Sequence, residues 1–117
     1  MKNYKDLIVW QKAMDLSVEI YQLVKKLPKH ETYALSDQMR RAAISIPSNI
    51  AEGKSRVSQK EFLYFLGIAK GSRAELETQL QICEKIGYLN EEDTKNAFGL
   101  LTEIEKMLVK LQAAVKS

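Results

Sequence analysis

The chain has 117 residues, of which 45% are hydrophobic and 28% charged, and its formal net charge is +3. This length and composition predict one soluble globular domain over residues 1–117. Its single cysteine, Cys83, excludes an internal disulfide. No apolar run approaches the roughly 20 residues of a membrane-spanning helix, and no signal core stands at the N-terminus, so we expect a cytoplasmic protein without membrane contact.

The first helical segment is predicted over residues 6–26. Apolar residues recur along it at spacings of three and four, in two neighbouring stripes. The first stripe holds Leu7, Trp10, Met14, Tyr21 and Val24, and the second holds Val9, Ala13, Leu16, Ile20, Leu23 and Leu27. Because the stripes differ by about 100° around the helix, the apolar arc is wider than one bundle core requires. Pro28 ends the segment.

The second helical segment is predicted over residues 32–53. Its apolar stripe consists of Leu35, Met39, Ala43, Ile46 and Ile50. Pro47 lies inside this segment, and a proline in a helix interior removes one backbone hydrogen bond at a cost of about 3 kcal/mol. We therefore expect the helix to be kinked or broken near Pro47. Gly53 is expected to cap its C-terminus.

The third and fourth helices have clear start and stop signals. Ser58 and Glu61 form a capping box at the start of the third, Gly87 stops it, and Asn90 is a good N-cap for the fourth. Their core faces hold Phe62, Phe65, Leu66, Ala69, Leu76, Leu80, Cys83 and Ile86, then Ala97, Leu101, Ile104, Leu108, Leu111 and Val115. Four amphipathic helices with short connections predict an all-α fold, an antiparallel up-down-up-down four-helix bundle.

Residue types that carry catalysis are sparse. The di-iron centres of helical bundles need Glu-x-x-His pairs on two helices, whereas this chain has one histidine, His30. Cys83 lies in an apolar stripe and His30 in a loop, which disfavours a Cys-His catalytic pair. Gly67 and Gly71 fall inside a helix, where we expect them to allow close packing rather than to bind phosphate. We therefore expect no enzymatic activity, no metal and no cofactor.

A polar seam is predicted beside the apolar stripe of the second helix. It consists of Gln38, Ser45, Asn49 and Glu52, with Ser72 and Glu75 of the third helix as facing partners. Buried polar groups are tolerated when they are paired, so the seam could be a hydrogen-bonded network that uses carbonyls freed by Pro47 and fixes helix register. The other interpretation, a contact for a ligand or a partner protein, stays open.

Positive charge is concentrated in the N-terminal half. Residues 1–60 carry 11 Lys/Arg and 6 Asp/Glu, whereas residues 61–117 carry 7 and 9. The candidate nucleic-acid-binding residues are Arg40, Arg41, Lys54, Arg56, Lys60, Lys70 and Arg73. Such a cluster can neutralise several phosphates, and a closed oligomer would repeat it around a ring. A solvated surface without a ligand is the alternative interpretation.

Several motifs follow one another along the chain. Leu7-x-Val9-Trp10-Gln11-Lys12-Ala13 opens the first helix, and Pro28-x-x-Glu31-x-Tyr33-x-Leu35 stands at the first turn. Residues 40–53 read Arg-Arg-Ala-x-x-Ser-Ile-Pro-x-Asn-Ile-Ala-Glu-Gly, and residues 62–80 read Phe-x-x-Phe-Leu-x-x-Ala-x-Gly-Ser-x-x-Glu-Leu-Glu-Thr-Gln-Leu. Over almost the whole chain, this combination resembles the four-helix-bundle family of 23S rRNA intervening-sequence proteins.

The resemblance implies a compact antiparallel bundle that assembles into a ring, commonly a pentamer. A related protein, the accessory variability determinant of diversity-generating retroelements, is a more basic pentamer that binds nucleic acid and a reverse transcriptase. Two functions are therefore expected as alternatives. The first is a non-enzymatic homo-oligomer that binds structured RNA or another nucleic acid through its basic surface. The second is a protein-interaction scaffold, or an accessory subunit for a partner enzyme, without nucleic-acid contact.

Overall fold

The structure of the protein is a computed structural model that describes residues 3–117. It contains four long helices. They are α1 (Ile8–Leu23), α2 (Leu35–Lys54), α3 (Gln59–Ile86) and α4 (Glu91–Lys116), and no strand occurs between residues 3 and 117. α1 packs on α2 and α4, and α3 packs on the same two helices. The bundle measures 44 × 24 × 19 Å. The predicted all-α, up-down-up-down four-helix bundle is confirmed.

One apolar core fills the space between the helices. α1 contributes the second of its two stripes, whose helical members are at most 5% exposed: Val9, Ala13, Leu16, Ile20 and Leu23. The other helices contribute fully buried side chains, among them Met39, Ile46 and Ile50 of α2, Leu66, Leu76 and Leu80 of α3, and Leu101, Ile104 and Leu108 of α4. The middle of the first stripe lies outside this core, with Met14 and Tyr21 each 42% exposed, whereas its end members Leu7 and Val24 are buried in the core.

The turn between α3 and α4 follows the sequence signals. Gly87 ends α3 in the left-handed conformation, with φ of 96°, which only glycine adopts without strain. Asn90 and Asp93 cap α4 reciprocally: Asp93 N donates to Asn90 Oδ1 at 2.9 Å, and Asn90 N donates to Asp93 Oδ2 at 3.0 Å. This backbone hydrogen bond, together with Lys26 Nζ at 2.6 Å, lowers the pKa of Asp93. The carboxylate of Asp93 therefore ties α4 to the end of α1.

α2 is continuous through Pro47, so the helix is not broken there; a kink stays a prediction. Pro47 lacks an N–H, which leaves the Ala43 carbonyl without its usual helical donor. Ser17 Oγ, from α1, donates to that carbonyl at 3.1 Å and also lies 3.0 Å from its own helix carbonyl at Ala13. A hydroxyl on the neighbouring helix thus satisfies the oxygen that the proline frees.

The glycines contradict two of the expectations from sequence. Gly53 does not cap α2, since the helix continues to Lys54 and ends at Ser55. A Cβ atom at Gly53 would lie 2.8 Å from Phe65 Cβ, so the missing side chain allows α2 and α3 to approach each other closely. Gly67 and Gly71, by contrast, are exposed and face open space, because nothing lies within 4 Å of a Cβ built there.

Candidate functional site

An apolar groove lies between α1 and α2 on the outer surface of the bundle. Its walls are formed by Tyr4, Trp10, Met14, Ile44, Pro47 and Ala51, with Ser17 and Ser48 as its polar members. Tyr4 and Trp10 pack edge to face, with ring centroids 5.4 Å apart, and close one end. The volume is about 370 Å³. The groove exists because the second apolar stripe of α1 fills the core along the helix, which leaves Trp10 and Met14 of the first stripe at the outer surface.

The apolar surface continues beyond the groove along α1. Val18 and Tyr21 lie one and two turns beyond Met14 and are 62% and 42% exposed. Ile44, on the facing side of α2, is 42% exposed. Exposed apolar side chains that stand singly need no explanation, whereas several beside an apolar groove make that surface a candidate for a contact.

Only part of the polar seam comes together. Ser72 Oγ donates to Ser45 Oγ at 2.8 Å across the α2–α3 contact, and Asn49 Nδ2 donates to Ser45 Oγ at 2.9 Å. Asn49 Nδ2 also lies 2.8 Å from the Ser45 carbonyl. These three residues form a compact network between two helices, with Ser72 buried.

The remaining seam residues lie apart from this network. Glu52 accepts a hydrogen bond from Arg56 at 2.6 Å, and Glu75 accepts one from Gln79 at 3.4 Å. Gln38 is exposed. The seam is therefore not continuous along α2.

Arg73 belongs to the interior of the α3–α4 contact rather than to a basic surface. Its side chain is only 11% exposed and pairs with Glu77 at 3.3 Å and with Glu105 at 3.1 Å. Because both partners are carboxylates, the charge of Arg73 is neutralised within the fold. A buried and paired guanidinium cannot reach a phosphate without breaking these contacts.

Two further arginines of the predicted cluster are engaged at the surface. Arg56 pairs with Glu52 at 2.6 Å and lies 3.7 Å from Glu61, with its guanidinium 5.1 Å from the centre of the Phe65 ring. Arg41 pairs with Asp37 at 2.9 Å. The side-chain hydrogen bond to Asp37 and the charge of that carboxylate raise the pKa of Arg41.

Four cations of the predicted cluster make no ion pair within residues 3–117: Arg40, Lys54, Lys60 and Lys70. Lys54 and Lys60 flank the turn between α2 and α3. Arg40 lies 14 positions before Lys54 in the same helix, which corresponds to about 21 Å along its axis. The predicted cluster is therefore not continuous: Arg40 lies near the start of α2, Lys54 and Lys60 lie at the α2–α3 turn, and Lys70 lies further along α3.

Sequence reasoning did not single out Lys25 and Lys29. They flank Leu27 and Pro28 at the end of α1 and line, together with Arg40, a cleft at that end of the bundle. The only signal in the sequence is the short run Lys-Lys-Leu-Pro-Lys, which is typical of a solvated turn.

The residues weighed for catalysis do not form a reactive pair. The Cys83 side chain is buried against Met39, with the two sulfur atoms 3.6 Å apart, and burial raises the pKa of the thiol to about 11. His30 is exposed and lies beside Tyr88, whose hydroxyl donates to Glu31 at 2.8 Å. In the part of the chain that the structure describes, no group of three or more His, Cys, Asp or Glu side chains could hold a metal. None of the described helices is long and apolar enough to cross a membrane.

Comparison with known proteins agrees with this architecture. A family model described as 23S rRNA-intervening sequence protein matches residues 5–110. A crystal structure at 1.70 Å resolution, of a protein of unknown function from the S23 ribosomal protein family of Bacteroides thetaiotaomicron VPI-5482, superposes with a TM-score of 0.82. It is 28% identical in sequence, and the match covers 89% of this chain and 97% of that one. No curated protein matches the chain significantly. Since the family model spans most of the bundle, the chain belongs to the family of 23S rRNA-intervening sequence proteins.

Proposed function

We propose that this protein is a non-enzymatic homo-oligomer, the pentameric ring that the family resemblance implies, and that the ring binds nucleic acid, structured RNA in preference to DNA. The observation that carries the proposal is the apolar groove between α1 and α2. The groove accounts for the apolar side chains of the first stripe of α1 that the core does not bury completely, Trp10 and Met14. Binding of RNA then depends on the unpaired cations that the ring repeats.

A second copy of the chain is the occupant that best fits the groove. Among residues 3–117 its lining includes two aromatic side chains and a methionine and has no charged residue, which is the composition of the buried centre of a protein interface. The exposed side chains of Val18 and Tyr21 extend the surface along α1, so the contact can run over several helical turns. Identical copies are always present together, and closed rings are a common outcome of such contacts.

The contact with RNA is assigned to the unpaired lysines at the α2–α3 turn. Lys54 and Lys60 make no ion pair in the described chain. Two lysines in one subunit can neutralise only about two phosphates, so binding to one subunit should be weak. Its salt dependence should also be shallow, because each phosphate contact changes the slope of log K against log salt by about 0.9. A ring multiplies these contacts without any new residue.

The test is fluorescence anisotropy of nuclease-treated protein with an RNA hairpin and a matched DNA duplex, between about 50 and 200 mM salt. We expect tighter binding to the hairpin and a steep salt dependence. Lys54→Glu/Lys60→Glu should weaken the binding and flatten its salt dependence. The control, Lys85→Glu/Lys95→Glu, changes two exposed lysines outside the α2–α3 turn and gives the same net charge. Equal losses in both variants would remove the turn from the proposal.

A protein scaffold is the second candidate function. The observation in its favour is that Arg41, Arg56 and Arg73 are all engaged by carboxylates of their own chain. The positive charge available to RNA is therefore smaller than the sequence suggests. If the hairpin does not bind even at low salt while the oligomer is intact, the ring is better explained as a platform for a partner protein.

A further inference from the structure

A cleft between the end of α1 and the start of α2 collects positive charge without negative charge. Its volume is about 380 Å³, and none of the described residues that line it is acidic. The lining residues that bear on its chemistry are Tyr21, Lys25, Lys29, Thr32, Ser36 and Arg40. Three cations thus surround one small space at the bundle end opposite Lys54 and Lys60.

These cations are free to bind an anion. Lys25 Nζ donates to the neutral Gln22 Oε1 at 3.2 Å, and Arg40 donates one hydrogen bond to the Thr32 carbonyl, also at 3.2 Å. Within residues 3–117 neither they nor Lys29 pair with a carboxylate. The Arg40 guanidinium lies 6.0 Å from the centre of the Tyr21 ring, so it is held in place while most of its five N–H donors stay unused.

The two carboxylates nearest in sequence are already occupied. Glu31 accepts from the Tyr88 hydroxyl at 2.8 Å and from the Leu35 amide at 3.4 Å. Asp37 accepts from Arg41 at 2.9 Å. Neither carboxylate lines the cleft, so neither compensates its charge.

Ser36 adds a hydroxyl donor to the cleft. The residue is only 4% exposed and lines the cleft. Within residues 3–117 the enclosed side-chain atoms without a partner are on Arg73 and Gln79, so the Ser36 hydroxyl is open to the cleft and can donate to a bound anion. Ser36 lies in the first turn of α2, whose first amide, Leu35 N, is already engaged by the Glu31 carboxylate at 3.4 Å, so the charge that attracts an anion comes from the three cations.

We propose that this cleft binds a phosphoryl group. The guanidinium fork of Arg40 and the ammonium groups of Lys25 and Lys29 match the charge of a phosphoryl group, and the Ser36 hydroxyl donates to one of its oxygens. The inference goes beyond the proposed function, because it depends neither on oligomer formation nor on the α2–α3 turn. The phosphoryl group can belong to the end of an RNA strand or to a free phosphorylated small molecule.

The test is an NMR titration of the full-length, ¹⁵N-labelled protein with inorganic phosphate, against sodium chloride at equal ionic strength. We expect saturable shifts of the Ser36 and Asp37 amides with phosphate only. Lys29→Gln/Arg40→Gln should weaken the affinity at least tenfold, and Ser36→Ala about tenfold, as for a hydrogen bond to a charged group. The control, Lys54→Gln/Lys60→Gln, should bind phosphate as the wild type does.

Either of two results would overturn the site: shifts that chloride reproduces, or an affinity that Lys29→Gln/Arg40→Gln and Ser36→Ala leave unchanged. Circular dichroism checks that each variant is folded. Ser36→Ala removes only an unpaired hydroxyl, so it keeps the test valid if the double variant unfolds. Two further ligands separate the sources: a short oligoribonucleotide with a 5′-phosphate against the same strand with a 5′-hydroxyl, and a nucleoside monophosphate. Failure of hairpin binding at Lys54 and Lys60 would leave these results unaffected.

Discussion

Pro47 frees one backbone carbonyl in the middle of α2, and Ser17 on α1 donates to it. The residue that makes the proline tolerable is therefore in another helix. The pair also borders the apolar groove, since both residues line it. The hydrogen bond to the Ala43 carbonyl and the proposed subunit contact therefore depend on the same two residues, Ser17 and Pro47.

Ser17→Ala should destabilise the protein by about 1–3 kcal/mol, the cost of leaving a buried polar group unpaired. In the Pro47→Ala background, residue 47 regains an amide that can serve the Ala43 carbonyl, so the same serine substitution should cost less. The measurement is urea unfolding of the four members of this double-mutant cycle. Equal losses in both backgrounds would show that Ser17 acts independently of the proline.

At the scale of helices, the contact between α2 and α3 depends on one glycine. Gly53→Ala places a methyl group 2.8 Å from Phe65 Cβ, in a region where backbone and side chains are both close. We expect a loss of about 1–3 kcal/mol, as for overpacking of a core. Gly67→Ala is the matched control: its site is open, and alanine in a helix interior gains up to about 1 kcal/mol. The melting temperatures of the two variants should therefore shift in opposite directions, down for Gly53→Ala and up for Gly67→Ala. Shifts in the same direction would contradict the packing role of Gly53.

Helix-end signals in the sequence were reliable where the residue type has one structural role at that position. Gly87 and Asn90 mark helix ends because a left-handed turn and an N-cap need those residues, and both lie where they were predicted. Gly53 was misinterpreted because a glycine serves a helix stop and a close helix contact equally well. Only the position of Phe65 on the next helix decides between them.

The basic cluster was less predictable for a related reason. Charge is visible in the sequence, but its partners are not: Arg73 is neutralised in part by Glu105, which lies on a different helix. The role of Ser17 likewise depends on the register of α1 against α2. By contrast, the surplus apolar stripe on α1 could be recognised from periodicity alone, because it concerns one helix.

For the whole molecule, the apolar groove predicts assembly. The wild type should have a mass in solution of about five times the 13.4 kDa of one chain. Ile44→Lys places a charge in the groove wall and should give a monomer that still folds, because Ile44 is 42% exposed in the isolated chain. Light scattering coupled to size-exclusion chromatography measures the mass, and circular dichroism measures folding.

Val57→Lys is the control for that variant. Val57 is fully exposed at the α2–α3 turn, away from the groove, so its replacement should leave the mass unchanged. A wild-type mass for Ile44→Lys would exclude the groove as the subunit contact. Dissociation of both variants would point to a general effect of added charge instead.

The packing of α1 on both α2 and α4 also determines when α1 becomes fully covered during synthesis of the chain. The ribosome makes α1 first, but one of the two helices that cover its buried stripe is the last of the four to emerge. Until then α1 carries apolar side chains on two faces, one awaiting α4 and one forming the outer groove. A polypeptide that ended before α4 would therefore expose the part of α1 that α4 covers as well as the groove, and chaperones and proteases would act on it.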